Sequence, residues 1–417
     1  MLYKSYSFVV TLLADGRACY WNYLVAKIVP KIINDNPITM LKVCPYTDVL
    51  LALTYDGQVL IGSLTEDKLI DITNTIYESL EKDLDCVIDE IHIDGNFIIV
   101  RIENSVMHAR ISWSSRSSGL PRYSLTNISV NKFEHSIDLV SFGRNHGFVR
   151  TGGEDGLDSE ARLHSTGITA YYQRDIHIED HGGRCIQKVV IPNTQDISKI
   201  ICGNEYTLLL MNDGSVSACG LNHGNLGWHI RGPFASVQFP ERTQVTKIIH
   251  NGLQIFYITN EGLCYHTSTN NRCTLPGAVS YCLQPTLLRS LDNYFVDNIF
   301  ILKCGFIIIQ HSSGKLCWLL VVGPLSRTCT NGSYTPSEEK PKALPFFDDK
   351  CIIVVSYVLD KIYFTTDGGN VYCCDQNLAL EPQIKSIPFF NDNPIAVECN
   401  AARIRSAANT VGRCHQN

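Results

Sequence analysis

The sequence predicts an all-β protein, a single closed β-propeller assembled from degenerate repeats of about 50 residues. Three observations predict it. A pattern of apolar strand, tight turn and second strand recurs along the whole chain. The strands are rich in Val, Ile, Leu, Tyr and Thr, residues that suit a pleated, half-buried surface. No long stretch keeps a helical period.

The first hairpin reads Phe8–Ala14, turns at Asp15-Gly16 and returns through Arg17–Trp21. The second runs Leu50–Tyr55, turns at Asp56-Gly57 and continues through Gln58–Gly62. Asp-Gly between β-rich runs is a strong hairpin signal, because glycine accepts the positive φ of a tight turn. The clearest copy comes later: Ile200–Cys202, Gly203, Tyr206–Met211, the Asp213-Gly214 turn and Ser215–Gly220. Further copies turn at Glu261-Gly262, Ser313-Gly314 and Asp367-Gly368, and two weaker ones at Glu103-Asn104 and Asp155-Gly156. Successive turns are 41 to 58 residues apart. Leu69–Leu84, with Ile70, Ile72, Ile76 and Leu80 loosely spaced, is the best helical candidate and is expected as an insertion between strands. The tail Ile395–Cys399 reads as one more first strand and could pair with the N-terminal hairpin to close the ring.

Composition agrees with a large folded core. Of 417 residues 45% are hydrophobic and 18% charged, which argues against disorder. The formal net charge of −6 lacks the basic field of a nucleic-acid binder, so no nucleic acid is expected. No apolar run is long enough to span a membrane. The apolar N-terminus is explained by the first hairpin better than by a secretory signal, and the Cys414–Asn417 ending is taken as a chance match to a prenylation site. Seventeen cysteines are scattered without a CxxC pair, many of them in apolar runs, such as Cys202, Cys219, Cys264, Cys304, Cys317 and Cys351. They read as reduced core thiols of a cytoplasmic chain. The nucleus, or delivery into a host cell as an effector, stays open.

Chemistry-bearing motifs are sparse. His177, Glu179, Asp180 and His181 have metal-ligand residue types but sit in a polar stretch, where solvated loop residues are the ordinary reading. Gly152–Gly156 lacks the Gly-Lys-Ser/Thr ending of a phosphate loop. No Gly-x-Ser-x-Gly elbow occurs. No catalytic residue, metal or cofactor is assigned. The whole of 1–417 is expected as one domain with polar insertions at 157–195 and 324–344, monomeric because a closed ring needs no partner.

Gly203–Leu208, Asp213–Val216, Ala218–Asn222 and Gly224–Gly227 together resemble a repeat of the regulator of chromosome condensation family. Gly143-Arg144-Asn145-His146 matches it in part. The pattern extends over nearly the whole chain, while only 197–227 match closely. The resemblance implies a seven-bladed propeller, whereas the hairpin count suggests eight; seven blades are expected, with eight as the alternative. It also implies a protein partner, a Ran-type small GTPase, on which some family members catalyse nucleotide exchange. Carried over by position, the contact residues are Asn204 and Glu205 after Gly203, and Arg144, Asn145 and His146 after Gly143. The same residues could equally cap their own turns through local hydrogen bonds. The insertion 157–195 is the candidate for the wedge that loosens the nucleotide site. The alternative function is a scaffold or targeting propeller without exchange activity; a propeller that inhibits or performs an enzyme reaction is the third reading.

Overall fold

Every blade-length segment of the sequence folds as four antiparallel strands in simple chain order, and there are eight such sheets. The structure is a computed structural model. It describes residues 2–4, 8–22, 30–33, 36–44, 47–65, 68–83, 86–94, 97–114, 122–143, 146–152, 161–167, 187–189, 193–203, 206–220, 234–240, 242–250, 254–268, 285–291, 294–302, 306–320, 341–358, 361–375 and 383–395. The fold is an all-β propeller of eight blades, the alternative to the seven expected, because every hairpin counted in the sequence builds a sheet of its own. Blade one lies within residues 2–32, blade two within 38–71, blade three within 90–132 and blade four within 137–189. Blades five to eight lie within 197–236, 245–287, 296–343 and 352–386.

The repeated turn follows from glycine at the second hairpin corner. Gly16, Gly57, Gly214, Gly262, Gly314 and Gly369 all have φ between 74° and 86°. Only glycine takes this region without steric cost. In blade eight the turning residue is Gly369, one place after the expected Gly368. In blade three the Glu103-Asn104 turn has Glu103 at φ 50°, and Asn104 Nδ2 donates to the Phe133 carbonyl at 2.6 Å. Gly156 lies outside the described residues. A threonine before the turn adds a second lock. Thr54, Thr259 and Thr366 each accept, through Oγ1, the amide N–H four residues on, at 2.9, 3.1 and 3.2 Å.

The first strand is bulged in the same place in six blades: its register slips right after Ile38, Ile137, Ile197, Val245, Val296 and Ile352. A bulge of this kind strengthens the local twist.

The chain divides into two compact units, 1–134 with 351–417, and 135–350. In the first unit, Val9, Leu13, Cys19 and Trp21 of blade one pack against Tyr363 and Val371 of blade eight and against Phe390 and Ile395 beyond it. The other face of blade one, with Val10, Leu12 and Tyr20, packs on Ile38, Leu41 and Leu50 of blade two. Blades two and three bury a third cluster together with the Thr73–Leu80 helix. In the second unit, Phe148 and Leu163 meet Ile200 and Leu209, Tyr206 and Leu208 meet Ile248 and Tyr257, and Phe256 and Ile258 meet Ile299 and Ile309. Central strands sandwiched on both faces are buried along their length and mostly apolar, as in Val49–Thr54 and Gln254–Thr259, with polar residues only at the ends.

Two sequence expectations are refined. The helical candidate Leu69–Leu84 splits into a strand, Lys68–Asp71, and a helix, Thr73–Leu80, because Leu69 and Ile70 pair with Gly62 and Ile61 before the chain turns. The helix buries Ile76, Tyr77 and Leu80. The N-terminal hairpin has a first strand of its own, Leu2–Lys4, paired with Val9–Thr11, while Ile395 makes an isolated antiparallel bridge to Leu13. Residues 396–399 lie outside the described residues.

The polar stretch 157–195 supplies two strands of blade four, Arg162–Gly167 and Gln187–Val189; residues 168–186, including His177, Glu179, Asp180 and His181, lie outside the described residues. Of 324–344, Lys342–Ala343 form the last strand of blade seven and Leu344 is buried, while 324–340 lie outside the described residues. No helix among the described residues is long and apolar enough to cross a membrane.

Candidate functional site

The family-like residues meet at the loops joining the first and second strands of blades four and five. Each loop is closed by the same bond: Gly143 N–H donates to the His146 carbonyl and Gly203 N–H to the Tyr206 carbonyl, both at 2.8 Å. The two glycines are required by close approach rather than by a positive φ. A Cβ on Gly203 would lie 2.3 Å from the Tyr206 ring, and a Cβ on Gly143 would lie 2.3 Å from the Gly203 carbonyl oxygen. Neighbouring loops therefore nest glycine against glycine.

Side chains tie these loops from blade to blade. His146 is buried and its Nε2 shares a hydrogen bond with Thr207 Oγ1 at 2.8 Å, while its ring stands edge-on to Phe148. Cys202 donates its amide N–H to Ser141 Oγ at 3.1 Å. Tyr206, also buried, hydrogen-bonds His250 Nδ1 at 3.1 Å. Of the five sequence-derived contact residues, His146 is thus engaged inside the fold. Arg144, Asn145, Asn204 and Glu205 occupy the stretches between the clamped ends and lie outside the described residues.

The electrostatics of this cluster favour structure over covalent chemistry. Burial pushes the Cys202 thiol up to about 12, so it carries no thiolate at neutral pH. Burial, and then the charge of Lys199, holds the His250 imidazole down at about 4, which keeps it neutral. Burial raises the Tyr206 phenol as well. Neutral, hydrogen-bonded groups of this kind fix loop geometry. The ten described cysteines are all free thiols, and the described residues contain no group of three or more metal-ligating side chains.

One element escaped the sequence reading. The third and fourth strands of blade three are Ser105–Ser114 and Arg122–Lys132, with 10 and 11 residues. In the other blades the fourth strand has between two and four residues, as in Ala235–Ser236 and Lys68–Asp71. The signal was present as strand-like alternation in 105–113, without the glycine turn that marks the other hairpins.

Comparison with protein-family models and with curated proteins gives no match. Among solved structures the chain is similar to Prp20p of Saccharomyces cerevisiae, whose structure was described with its binding to Gsp1p and histones. The identity is 11%, covering 98% of this chain and 97% of that one, with a TM-score of 0.49. It is similar to human WBSCR16 at 15% identity, covering 71% and 78%, with a TM-score of 0.49. It is similar to the WD40 domain of SCAP from fission yeast at 11% identity, covering 85% and 87%, with a TM-score of 0.46.

Proposed function

We propose that this chain is a protein-binding propeller that acts on a Ran-type small GTPase, as its exchange factor or regulator. The observation that carries this reading is the loop of blade five. The part of the family-like stretch from 197 to 220 forms three strands of one blade, and its Gly203–Tyr206 loop is clamped at both ends by a backbone bond and by the Tyr206–His250 pair. The clamp joins the residues on either side of Asn204 and Glu205, the pair assigned to the GTPase, and flanks that are already ordered lower the conformational cost of binding. An acidic Glu205 suits a basic partner surface, where complementary charge raises specificity and on-rate.

Exchange needs no covalent step. A propeller that binds the nucleotide-free GTPase more tightly than the nucleotide-bound form shifts the population toward release, by no more than that difference in affinity. The encounter is proposed for the cytoplasm, where thiols such as the buried Cys202, Cys219 and Cys264 stay reduced.

The test is release of a fluorescent guanine nucleotide from Ran and a small panel of related GTPases. Accelerated release from one of them, lost in Glu205→Lys while the melting curve stays unchanged, is the expected result. The eighth blade, one more than the family implies, favours a second reading, a scaffold or targeting propeller without exchange activity. Tight binding to a GTPase without faster release, or no effect on any of them, would replace the first reading by the second.

A further inference from the structure

We infer that the long ribbon of blade three, Ser105–Ser114 with Arg122–Lys132, docks an extended acidic segment of a partner protein, added as a further strand along the outer edge of its Arg122–Thr126 half. The inference uses a different blade and different residues from the GTPase reading and stands without it.

The first observation is the edge. Arg122–Lys132 is the last strand of its sheet and is 11 residues long. A long outer strand presents a row of backbone donors and acceptors, the template that an added strand completes. The ribbon has one bulge, between His108 and Arg110, where Asn127 has φ 53°. Beyond it the pairs Arg110–Thr126, Ile111–Leu125, Ser112–Ser124, Trp113–Tyr123 and Ser114–Arg122 keep unbroken register. Bulges and prolines are the usual devices that blunt an edge, and this outer half has neither.

The second observation is the division of the ribbon into two faces. Ile111 is fully buried in the core cluster and Leu125 packs against that cluster, so this row is covered by the chain's own body. The opposite row holds Arg110, which is exposed, with Thr126, Ser112 and Ser124. Its hydroxyls are satisfied inside the ribbon: Ser112 Oγ and Ser124 Oγ lie 2.7 Å apart, and Thr126 Oγ1 donates to the Arg110 carbonyl at 3.3 Å.

The third observation is charge, and it selects the occupant. From Ser105 to Phe133 the sequence contains Arg110, Arg116, Arg122 and Lys132 and no Asp or Glu, in a chain whose net charge is −6. Lys132 is paired with Glu81 at 2.7 Å, so among the described side chains the attraction rests on Arg110, exposed on the strand beside the edge. Two copies of this ribbon pairing edge to edge would set like charges against each other, which is destabilising. An acidic strand brings opposite charge to this basic, acid-free stretch and to the exposed Arg110, and completes the backbone ladder at the same time. A nucleic acid would satisfy the arginines but leave the ladder open.

The test uses the full chain and three labelled probes of equal length: a peptide of alternating glutamate and valine, its lysine counterpart, and single-stranded RNA. Fluorescence anisotropy should show binding of the glutamate peptide alone. Methylating alternate backbone nitrogens of that peptide should abolish binding, and Arg110→Glu should weaken it at least about fivefold, with the far-UV spectrum and melting curve unchanged. Arg110→Lys, which keeps the charge, should retain most of the affinity. The inference is overturned if the lysine peptide binds equally, if only RNA binds, if none binds, or if the N-methylated peptide binds as well as its parent.

Discussion

The amide N–H of Ile395 donates to the carbonyl of Gly369 across 2.9 Å. The same bond runs from Ile38 to Gly16 at 2.6 Å and from Val245 to Gly214 and Val296 to Gly262 at 3.0 Å. In those three cases the donor opens the first strand of the next blade. Ile395 keeps the remaining features too: it pairs with Leu13 as Ile38 pairs with Thr54, and the Pro394 carbonyl accepts from Ala14 as the Pro37 carbonyl accepts from Tyr55. Blade one therefore takes the opening residue of its first strand from the far end of the sequence, while Leu2–Lys4 supplies residues further along the same edge.

Ile395 is 1% exposed, among Trp21, Tyr363 and Phe390. Truncating it to Ala removes buried methyl groups and leaves a cavity, so Ile395→Ala should cost about 2–4 kcal/mol. Urea denaturation followed by tryptophan fluorescence measures it. A loss below about 0.5 kcal/mol would show that this residue does not hold the seam between blades one and eight.

The turn glycines separate two costs that sequence alone cannot distinguish. Gly57 and Gly214 have nearly equal φ, 84° and 82°. A Cβ on Gly57 meets nothing within 4 Å, whereas one on Gly214 lies 2.9 Å from Gln244 Cβ and 3.0 Å from the Val245 nitrogen. Gly57→Ala should cost only the left-handed strain, about 1–2 kcal/mol. Gly214→Ala should cost about 1–3 kcal/mol more, for the crowded backbone. Thermal melts of the two variants side by side decide it, and equal shifts would refute the role given to packing.

How much was legible in the sequence follows from where the chain relies on local chemistry. A glycine turn between two apolar strands announces itself, so the hairpins at Gly16, Gly57, Gly214, Gly262 and Gly314 could be read directly, three of them as Asp-Gly. Gly368 and Gly369 are adjacent, and the choice between them depends on the bond from Gly369 N–H to the Thr366 carbonyl, which no residue type reveals. The long ribbon of blade three was hidden because the Glu103-Asn104 turn that leads into it lacks the glycine signature and its outer row is serine, threonine and arginine. The site was legible in part. Gly143 and Gly203 were found, but their purpose was not, because it lies in a neighbour: the Tyr206 ring for one and the Gly203 carbonyl for the other. His146 carried the family's loop pattern, yet its burial against Thr207 depends on the adjacent blade.

The loop clamp of blade five makes a prediction of its own. Tyr206→Phe keeps the ring that stands 6.1 Å from His250 but removes the hydroxyl bonded to Nδ1. Losing one partner of a buried hydrogen bond costs about 1–3 kcal/mol. Gly203→Ala drives a Cβ into the same ring and should be at least as damaging. Hydrogen exchange of the Gly203 amide, which bonds the Tyr206 carbonyl, should accelerate in Gly203→Ala well beyond the change at blade seven. Uniform acceleration throughout the chain would mean that the clamp has no local role.

Buried histidines set the last expectation, a loss of stability in mild acid. Burial depresses His266 to about 3, and it holds His108, His92 and His250 at about 4, with Lys42 adding to the effect at His92 and Lys199 at His250. Unfolded, each would take a proton near 6.5. Between those values the unfolded chain binds more protons than the folded one, so stability is full above about pH 6.5 and falls as pH drops toward 4. Carboxylates contribute little above about pH 5, because their unfolded values lie near 4. The window from 6.5 to 5 therefore isolates the histidines, and His266, 4% exposed, should account for about 1.5 kcal/mol of the loss there. Urea midpoints at pH 7.5, 6.5, 5.75 and 5 measure the slope. In His266→Gln, compared with its own stability at pH 7.5, the decline should be shallower by about that amount. A variant that falls as steeply as the parent would show that His266 is protonated in the folded protein at these pH values.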